Sequence, residues 1–364
     1  MHIMSDVVSP PSRPRIGFLR PARLTNGYTA AARFAAHYSG RVDAMGTVFE
    51  PVAFSSHPEI IAAQARGDID FGVIAIENTL DGIIVESVKE LERLFETPRQ
   101  RRTFVVWEEL LPIQHFLMSQ SGGLIGIDVI RSHPSALRQC SKTLQRIKDH
   151  LEIRVEQTES TGAATLEAVA NPSVAAIASR EALEVYSGSL RAVDLAELEH
   201  DHQLGLEQTR SLSDYSNGFT RFWILGEKKL IQRMDSANVK DVEKSLNKTC
   251  FLLSLPNETG TLYDALGVIS EHKVFLSIIY PFPRVERDFE YMFFVEVEGH
   301  LQDAAIKGIH DKLNEKFPQR PDWPPSCVWL GSFPNTELLK ELPEHQTLFR
   351  RRYYPDDMNW PETA

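Results

Sequence analysis

The stretch "IRSHPSALRQC", Ile130–Cys140, decides how the chain is to be read. Its first residues close the apolar run "IDVIRS", a strand by composition and length. Pro134 follows two residues after Ser132, in the first helical turn, where proline costs no hydrogen bond. A strand therefore runs directly into a helix, predicted over about Pro134 to His150. Free N–H groups at that helix start, with the Ser132 hydroxyl beside them, form an anion site aimed at a cleft. The competing role for Ser132 is a plain helix cap.

The same joint recurs on both sides. Upstream, "RIGFLR", "TVFEPVAF" and "IDFGVIAIEN" are strands, and "YTAAARFAAHYS", "HPEIIAAQARGD" and "VESVKELERLFE" are helices. Downstream, "EIRVEQTES" and "VAAIAS" are strands, "GAATLEAVA" and "REALEVYS" helices, and "FTRFWILGE" is a closing strand. "EELLPIQHFLMSQ" is strand-like. Alternation over this length implies an α/β architecture with two lobes around a cleft.

A polar stretch at residues 229–246 is expected to be a linker. Residues 247–334 then give β-α-β-β-α, with "CVWLGSF" as a last strand: the ferredoxin-like βαββαβ order. The expected organisation is a disordered leader (1–14), a two-lobed unit (15–228), the linker, the ferredoxin-like unit and a tail (335–364). One lobe takes roughly 15–110 plus 208–228, the other 111–207.

The chain of 364 residues is long for one core. Its net charge of −11 argues against a general nucleic-acid binder. Its three cysteines lie far apart, without metal-ligand spacing, so neither a disulfide framework nor a zinc site is expected. No 18-residue apolar run suggests a membrane span, and the expected location is cytoplasmic.

"SHPSALRQC" resembles the "SHPQALxQC" signature of the prephenate dehydratase family. "GDIDFGVIAIENTLDGIIVES", "IQHFLM", "ESTGAA", "VAAIAS" and the "TRF" of "NGFTRFWILG" resemble further family motifs, in the same order. "TGTLYDAL", "FFVEVEGH" and "LGSFP" resemble an ACT regulatory domain. The resemblance covers about residues 15 to 334. It implies a periplasmic-binding-protein-like two-lobed catalytic domain followed by an ACT domain. It further implies loss of carbon dioxide and water from prephenate to give phenylpyruvate in phenylalanine biosynthesis, with no cofactor and no metal. The implied partner is a small-molecule substrate, and the implied assembly a homodimer or higher homo-oligomer.

Residue roles follow from the resemblance. Thr220 is the first catalytic candidate, as hydrogen-bond donor to the departing hydroxyl. Asn78 is a donor to a carboxylate or ketone oxygen, or else a turn former. Glu159 orients the site or, if burial raises its pKa, gives a proton. Ser132, Gln139, Ser160 and Thr161 are substrate contacts. Arg221 binds a carboxylate or sits in a structural ion pair. Gly260, Thr261 and Leu262 belong to the ACT ligand loop. His133 is expected in the capping turn, and Cys140 has no nucleophilic role.

The departures bear on function. The family's "GPxGTFSxxAA" survives only as "GFLRPARLTNGYTAAA", which brings in Arg20 and Arg23 as anion contacts or solvated charges. Ala75 and Thr79 flank "IEN" where the family has proline and serine, and Asn217 lies three residues before Thr220 rather than two. In the ACT segment, Phe275, Tyr280, Pro281 and Phe282 replace the polar "N" and "ESR" positions. Weak or absent phenylalanine inhibition is the consequence, with the aromatic segment packing at a subunit interface or binding something less polar. The alternatives are a non-aromatising prephenate decarboxylase of a specialised-metabolite pathway and a non-catalytic small-anion sensor.

Overall fold

The structure is a computed structural model, and it describes residues 13–40, 44–95, 102–194, 211–215, 218–227, 247–284, 290–317 and 325–335. The expected linker, most of the leader and tail, and Asn217 lie outside the described residues.

The first lobe is laid down as β1 (Arg15–Leu19), α1 (Asn26–Ser39), β2 (Glu50–Phe54), α2 (His57–Arg66), β3 (Phe71–Asn78), β4 (Gly82–Ile83), α3 (Val85–Phe95) and β5 (Phe104–Pro112). The second takes β6 (Phe116–Ser119), β7 (Val129–Ser132), α4 (Pro134–Gln139), α5 (Ser141–His150), β8 (Arg154–Gln157), α6 (Thr161–Ala170), β9 (Val174–Ala178), α7 (Arg180–Val185) and β10 (Arg191–Ala192). The chain then returns to the first lobe as β11 (Phe219–Gly226). The last unit is β12 (Asn247–Ser254), α8 (Thr261–Glu271), β13 (Leu276–Pro283), β14 (Tyr291–Glu298), α9 (Ala304–Lys316) and β15 (Cys327–Pro334).

The first sheet has the order β2-β1-β3-β11-β5, with β4 on β3. Its returning strand β11 runs antiparallel to both neighbours. The second sheet is β10-β6-β9-β7-β8, and the third β13-β14-β12-β15. The third order is that of a βαββαβ ferredoxin-like unit. β3 and β9 are buried on both faces, which accounts for their unbroken apolar runs.

One helix departs from expectation. The helix predicted from Pro134 to His150 is broken at Cys140 (φ −114°, ψ 15°) into α4 and α5. The cause lies far along the chain. The Asp214 carboxylate accepts from the backbone N–H of Lys142 (2.8 Å) and Thr143 (3.3 Å), capping α5 afresh.

The first sheet has two coats. α1 covers one face through Phe34 and Ala31 against Phe71, Val73 and Ile224. On the other face, α2 and α3 share one core with Trp223, Leu225 and the third sheet's Leu252, Phe294 and Phe333. The ferredoxin-like unit is thus packed on the first lobe through its open sheet face. The approach is close at Gly331, where an added Cβ would lie 2.1 Å from the Val105 carbonyl oxygen. Phe282, expected at a subunit interface or ligand site, is buried in this same intrachain core. Its ring fills space beside the first lobe, so the replacement of a polar ligand position adds apolar packing between units.

Candidate active site

A β-bulge fixes the chemistry of β3 and β11. Thr220 pairs with Asn78 and Arg221 with Glu77, but Phe222 pairs with Ala75, leaving Ile76 as the extra residue. Without the extra residue, alternation would put Asn78 on the face of Ile74 and Ile76. The bulge instead turns Asn78 toward the cleft beside Thr220, and Glu77 to the opposite face beside Arg221, while Thr220 and Arg221 keep the plain alternation of β11.

The cleft between the lobes encloses about 350 Å³. Its lining includes Thr220, Asn78, Gln139, Glu159, Ser160 and Thr161, so six sequence-derived candidates come together. The starts of α1 (Thr25, Asn26), α4 (His133, Ser135) and α6 (Ser160, Thr161), and the α7 cap Ser179, also reach it. Helix N-termini carry positive partial charge and free N–H groups, so their convergence suits an anionic ligand. Arg20 is the sole lysine or arginine among the lining residues. No ion pair holds it among the described residues.

Thr220 is largely buried, and its hydroxyl has no protein hydrogen-bond partner among the described residues. It is free to donate into the cleft. Asn78 also lines the cleft, while its side chain closes a turn. Its Oδ1 accepts from Leu80 N–H (2.9 Å), and its Nδ2 donates to Asp81 (3.3 Å). Gln139 is held from both sides: His115 Nε2 lies 2.7 Å from its Oε1, and its Nε2 donates to Asp81 at 2.9 Å. Ser160 caps α6, accepting from Ala163 N–H at 3.0 Å. Glu159 is exposed, so the burial that a proton-donor role would require is absent.

Two expectations are corrected. Ser132 does not reach the cleft: it is fully buried, and its hydroxyl donates to the Ile177 carbonyl at 2.6 Å. The cap of α4 is His133, whose Nδ1 accepts from Ser135 N–H at 3.2 Å. Arg221 does not contact the cleft either. Its guanidinium points from the far face of β11 and donates to Glu77 (2.8 Å), Glu108 (2.6 Å) and Glu296 (2.5 Å). Burial opposes its charge, but Glu108, Glu296 and Glu77 outweigh that and hold its pKa above the ordinary arginine range.

Sequence reasoning missed Asp81 and Ser135. Asp81, on the first lobe, accepts from Ser135, Gln139 (2.9 Å) and Arg138 (3.2 Å), all on α4 of the second lobe. Its carboxylate ties the lobes together across the cleft mouth. The available signal was its place in "ENTLDG", a turn beside a cleft strand. Burial lowers the pKa of His115, against smaller opposing effects of Gln139 and Asp81. His133 is lowered by burial first and by Arg138 second. Both shifts favour neutral imidazoles, leaving Arg20 as the permanent cation.

In the ferredoxin-like unit, Gly260 (φ 89°) starts α8, where the left-handed conformation suits glycine. The Thr261 hydroxyl donates to the Glu258 carbonyl at 3.0 Å, and Leu262 packs on the unit's core. Among the described residues, no cluster of His, Cys, Asp or Glu forms a metal site, and no helix is long and apolar enough to cross a membrane.

The sequence pattern of the prephenate dehydratase family matches residues 22–230. The prephenate dehydratase of Bacillus subtilis is 30% identical over 272 residues, covering 72% of this chain and 85% of its own. The bifunctional chorismate mutase/prephenate dehydratase of Aquifex aeolicus is 27% identical over 272 residues, 75% of this chain. The match spans 63% of that longer relative. Among solved structures, prephenate dehydratase from Arthrobacter aurescens in complex with L-Phe superposes with a TM-score of 0.65 at 18% identity. That superposition covers 89% of this chain and 90% of the other, and it bears on the fold alone. Motif order, a two-lobed cleft and the family match agree: the chain belongs to the prephenate dehydratase family.

Proposed function

We propose that the chain converts prephenate to phenylpyruvate, carbon dioxide and water. The observation that carries this reading is the unpartnered Thr220 hydroxyl in a cleft that combines Arg20 with several helix N-termini. Prephenate is a dianion with a ring hydroxyl. One carboxylate is anchored by Arg20 and the α1 start, where charge-assisted bonds are strong. The ring carboxylate leaves as carbon dioxide; the electron pair of its C–C bond enters the ring and expels hydroxide from the opposite carbon. Thr220 donates a hydrogen bond to that departing oxygen, which leaves as water with net uptake of one proton from the solvent. The electron balance closes within the substrate. Donors fixed before reaction stabilise the developing charge without reorganisation. Asn78, Ser160 and Thr161 hold the substrate's oxygens; Gln139, its amide engaged by His115, Asp81 and Ser135, braces the cleft wall, and Asp81 keeps the lobes closed around the substrate.

The test is incubation with prephenate, with products followed by NMR. Phenylpyruvate and carbon dioxide in equal amounts are expected. A folded sample that binds prephenate and leaves it unchanged overturns the reading in favour of a sensor.

The finer parts of the reading concern place and assembly. The protein acts in the cytoplasm, in phenylalanine biosynthesis, and pairs as a homodimer. Support for pairing comes from the ferredoxin-like unit, where Phe275 and Ile279 at the β13 edge, and Tyr291 opposite Pro283 at the far end of that strand, are exposed large hydrophobic side chains. Light scattering that shows only monomer at micromolar concentration refutes it. Inhibition of turnover by L-phenylalanine is expected to be weak or absent, since aromatic residues occupy the β13 segment and Phe282 is buried within the chain.

A further inference from the structure

Five charged side chains meet behind the catalytic strand, in the seam between the first lobe and the ferredoxin-like unit. Arg221 of β11 bonds Glu77 of β3, Glu108 of β5 and Glu296 of β14. Lys248 of β12 stands 3.7 Å from Glu108 and 3.4 Å from Glu296. Apart from Glu77, no side chain of the five is more than 6% exposed. Two of the five, Lys248 and Glu296, come from the ferredoxin-like unit.

Their position relative to the cleft gives the cluster a consequence. Arg221 and Glu77 are the immediate neighbours of Thr220 and Asn78, and the two pairs face each other in register. The bulge at Ile76 interrupts the β3 side of this segment, whereas the β5 side keeps regular register from Phe219 to Ile224, so regular sheet pairing holds the Thr220–Arg221 part of β11 along one edge only. On the irregular edge, a guanidinium gripped by three carboxylates supplies the second anchor. Glu77 and Glu108 hold Arg221 from within its own sheet; Glu296 holds it from the docked unit. Docking adds one cation and one anion, Lys248 and Glu296, so it encloses the cluster without changing its net charge.

We infer that Glu296, supported by Lys248, is a positioning residue for the active site: through Arg221 it sets the direction in which Thr220 projects into the cleft. The ferredoxin-like unit is therefore part of the catalytic scaffold. This rests on the dehydratase reading above. Catalysis depends on placement within a fraction of an ångström, so a small rotation of β11 is felt in the transition state more than in substrate binding.

The experiment uses the full chain. Glu296→Gln removes the charge and keeps the shape. It is expected to lower kcat for prephenate about tenfold or more, with KM within about twofold. Glu296→Asp, which keeps the charge one methylene shorter, is expected to recover part of the loss. In a Thr220→Val background Glu296→Gln is expected to add less than about threefold, because both act on one contact. Hydrogen exchange of the peptide covering 218–226 is expected to speed up in Glu296→Gln without substrate, while the α6 peptide is unchanged. Wild-type kcat in folded Glu296→Gln, or an undiminished loss in the Thr220→Val background, overturns the inference. Should Glu296→Gln fail to fold, Lys248→Met must show the same kcat loss, and wild-type kcat there is equally fatal. If the wild-type protein does not turn over prephenate, the dehydratase reading fails by itself. The exchange comparison then still decides whether Glu296 holds β11, and unchanged exchange overturns that.

Discussion

Replacing Thr220 by valine separates catalysis from folding. Valine keeps the β-branch and near-identical shape, and exchanges only a hydroxyl for a methyl. Thr220 is 8% exposed, and its hydroxyl has no protein partner among the described residues. No intramolecular hydrogen bond is lost, so the stability change should stay within about 1 kcal/mol, or about 4 °C in Tm. The transition state loses one donor to the departing oxygen. Loss of one such preorganised donor costs about 3 kcal/mol, or roughly a hundredfold in kcat, with KM little changed. Steady-state release of phenylpyruvate and thermal unfolding, run in parallel, give both numbers. Thr220→Ser, which retains the hydroxyl, should recover much of the rate. A Thr220→Val protein with kcat within threefold of wild type refutes the role of the hydroxyl. A fall in Tm of about 10 °C would show instead that the hydroxyl is a structural group.

Three further outcomes are expected. Arg20→Gln should raise KM by about ten- to a hundredfold, the worth of one hydrogen bond to a charged group, with a smaller effect on kcat in the same assay. His57 is buried, with Nδ1 unpartnered, and burial lowers its pKa from 6.5 to about 4. The unfolded chain therefore takes up a proton below pH 6.5 that the folded chain refuses, and stability falls as pH drops from there toward 4. The loss is about 2 kcal/mol at pH 5, and denaturant unfolding of His57→Gln should show it abolished. Gly331→Ala places a Cβ 2.1 Å from the Val105 carbonyl oxygen, and should push β15 off β5 at a cost of about 3 kcal/mol, read as a lowered Tm.

The elements were legible where local chemistry alone determines them. Apolar runs such as Phe71–Ile76 mark strands buried on both faces, and Ser56 before His57–Arg66 with Gly67 after it marks a helix with both caps. The cleft residues Gln139, Ser160 and Thr161 were found from motifs that survive, and Thr220 from "TRF" despite the altered spacing to Asn217. What escaped depends on partners far away in the chain. Cys140 looks helical until Asp214 arrives to cap the next turn. Arg221 looks like a substrate ligand until its carboxylates are known, and Glu77 lies 144 positions away. The extra residue at Ile76 leaves no mark in composition, yet it decides which of Glu77 and Asn78 faces the cleft. Ser132 shows the converse: a serine with good capping chemistry spends its hydroxyl on a carbonyl of the adjacent strand.

The central place of β11 in the first sheet governs the order in which the molecule can be made. The second sheet draws on one unbroken stretch, from Phe116 to Ala192, and has all its strands early. The first sheet does not: β3 and β5 have emerged by Pro112, but the strand that joins them begins at Phe219. During synthesis the second lobe can fold while the first is still incomplete, and domains tend to fold in that vectorial way. Unpaired strand edges are templates for wrong pairing, with another chain or with each other. A ribosome stalled between Pro112 and Phe219 would hold β3 and β5 without the strand that belongs between them.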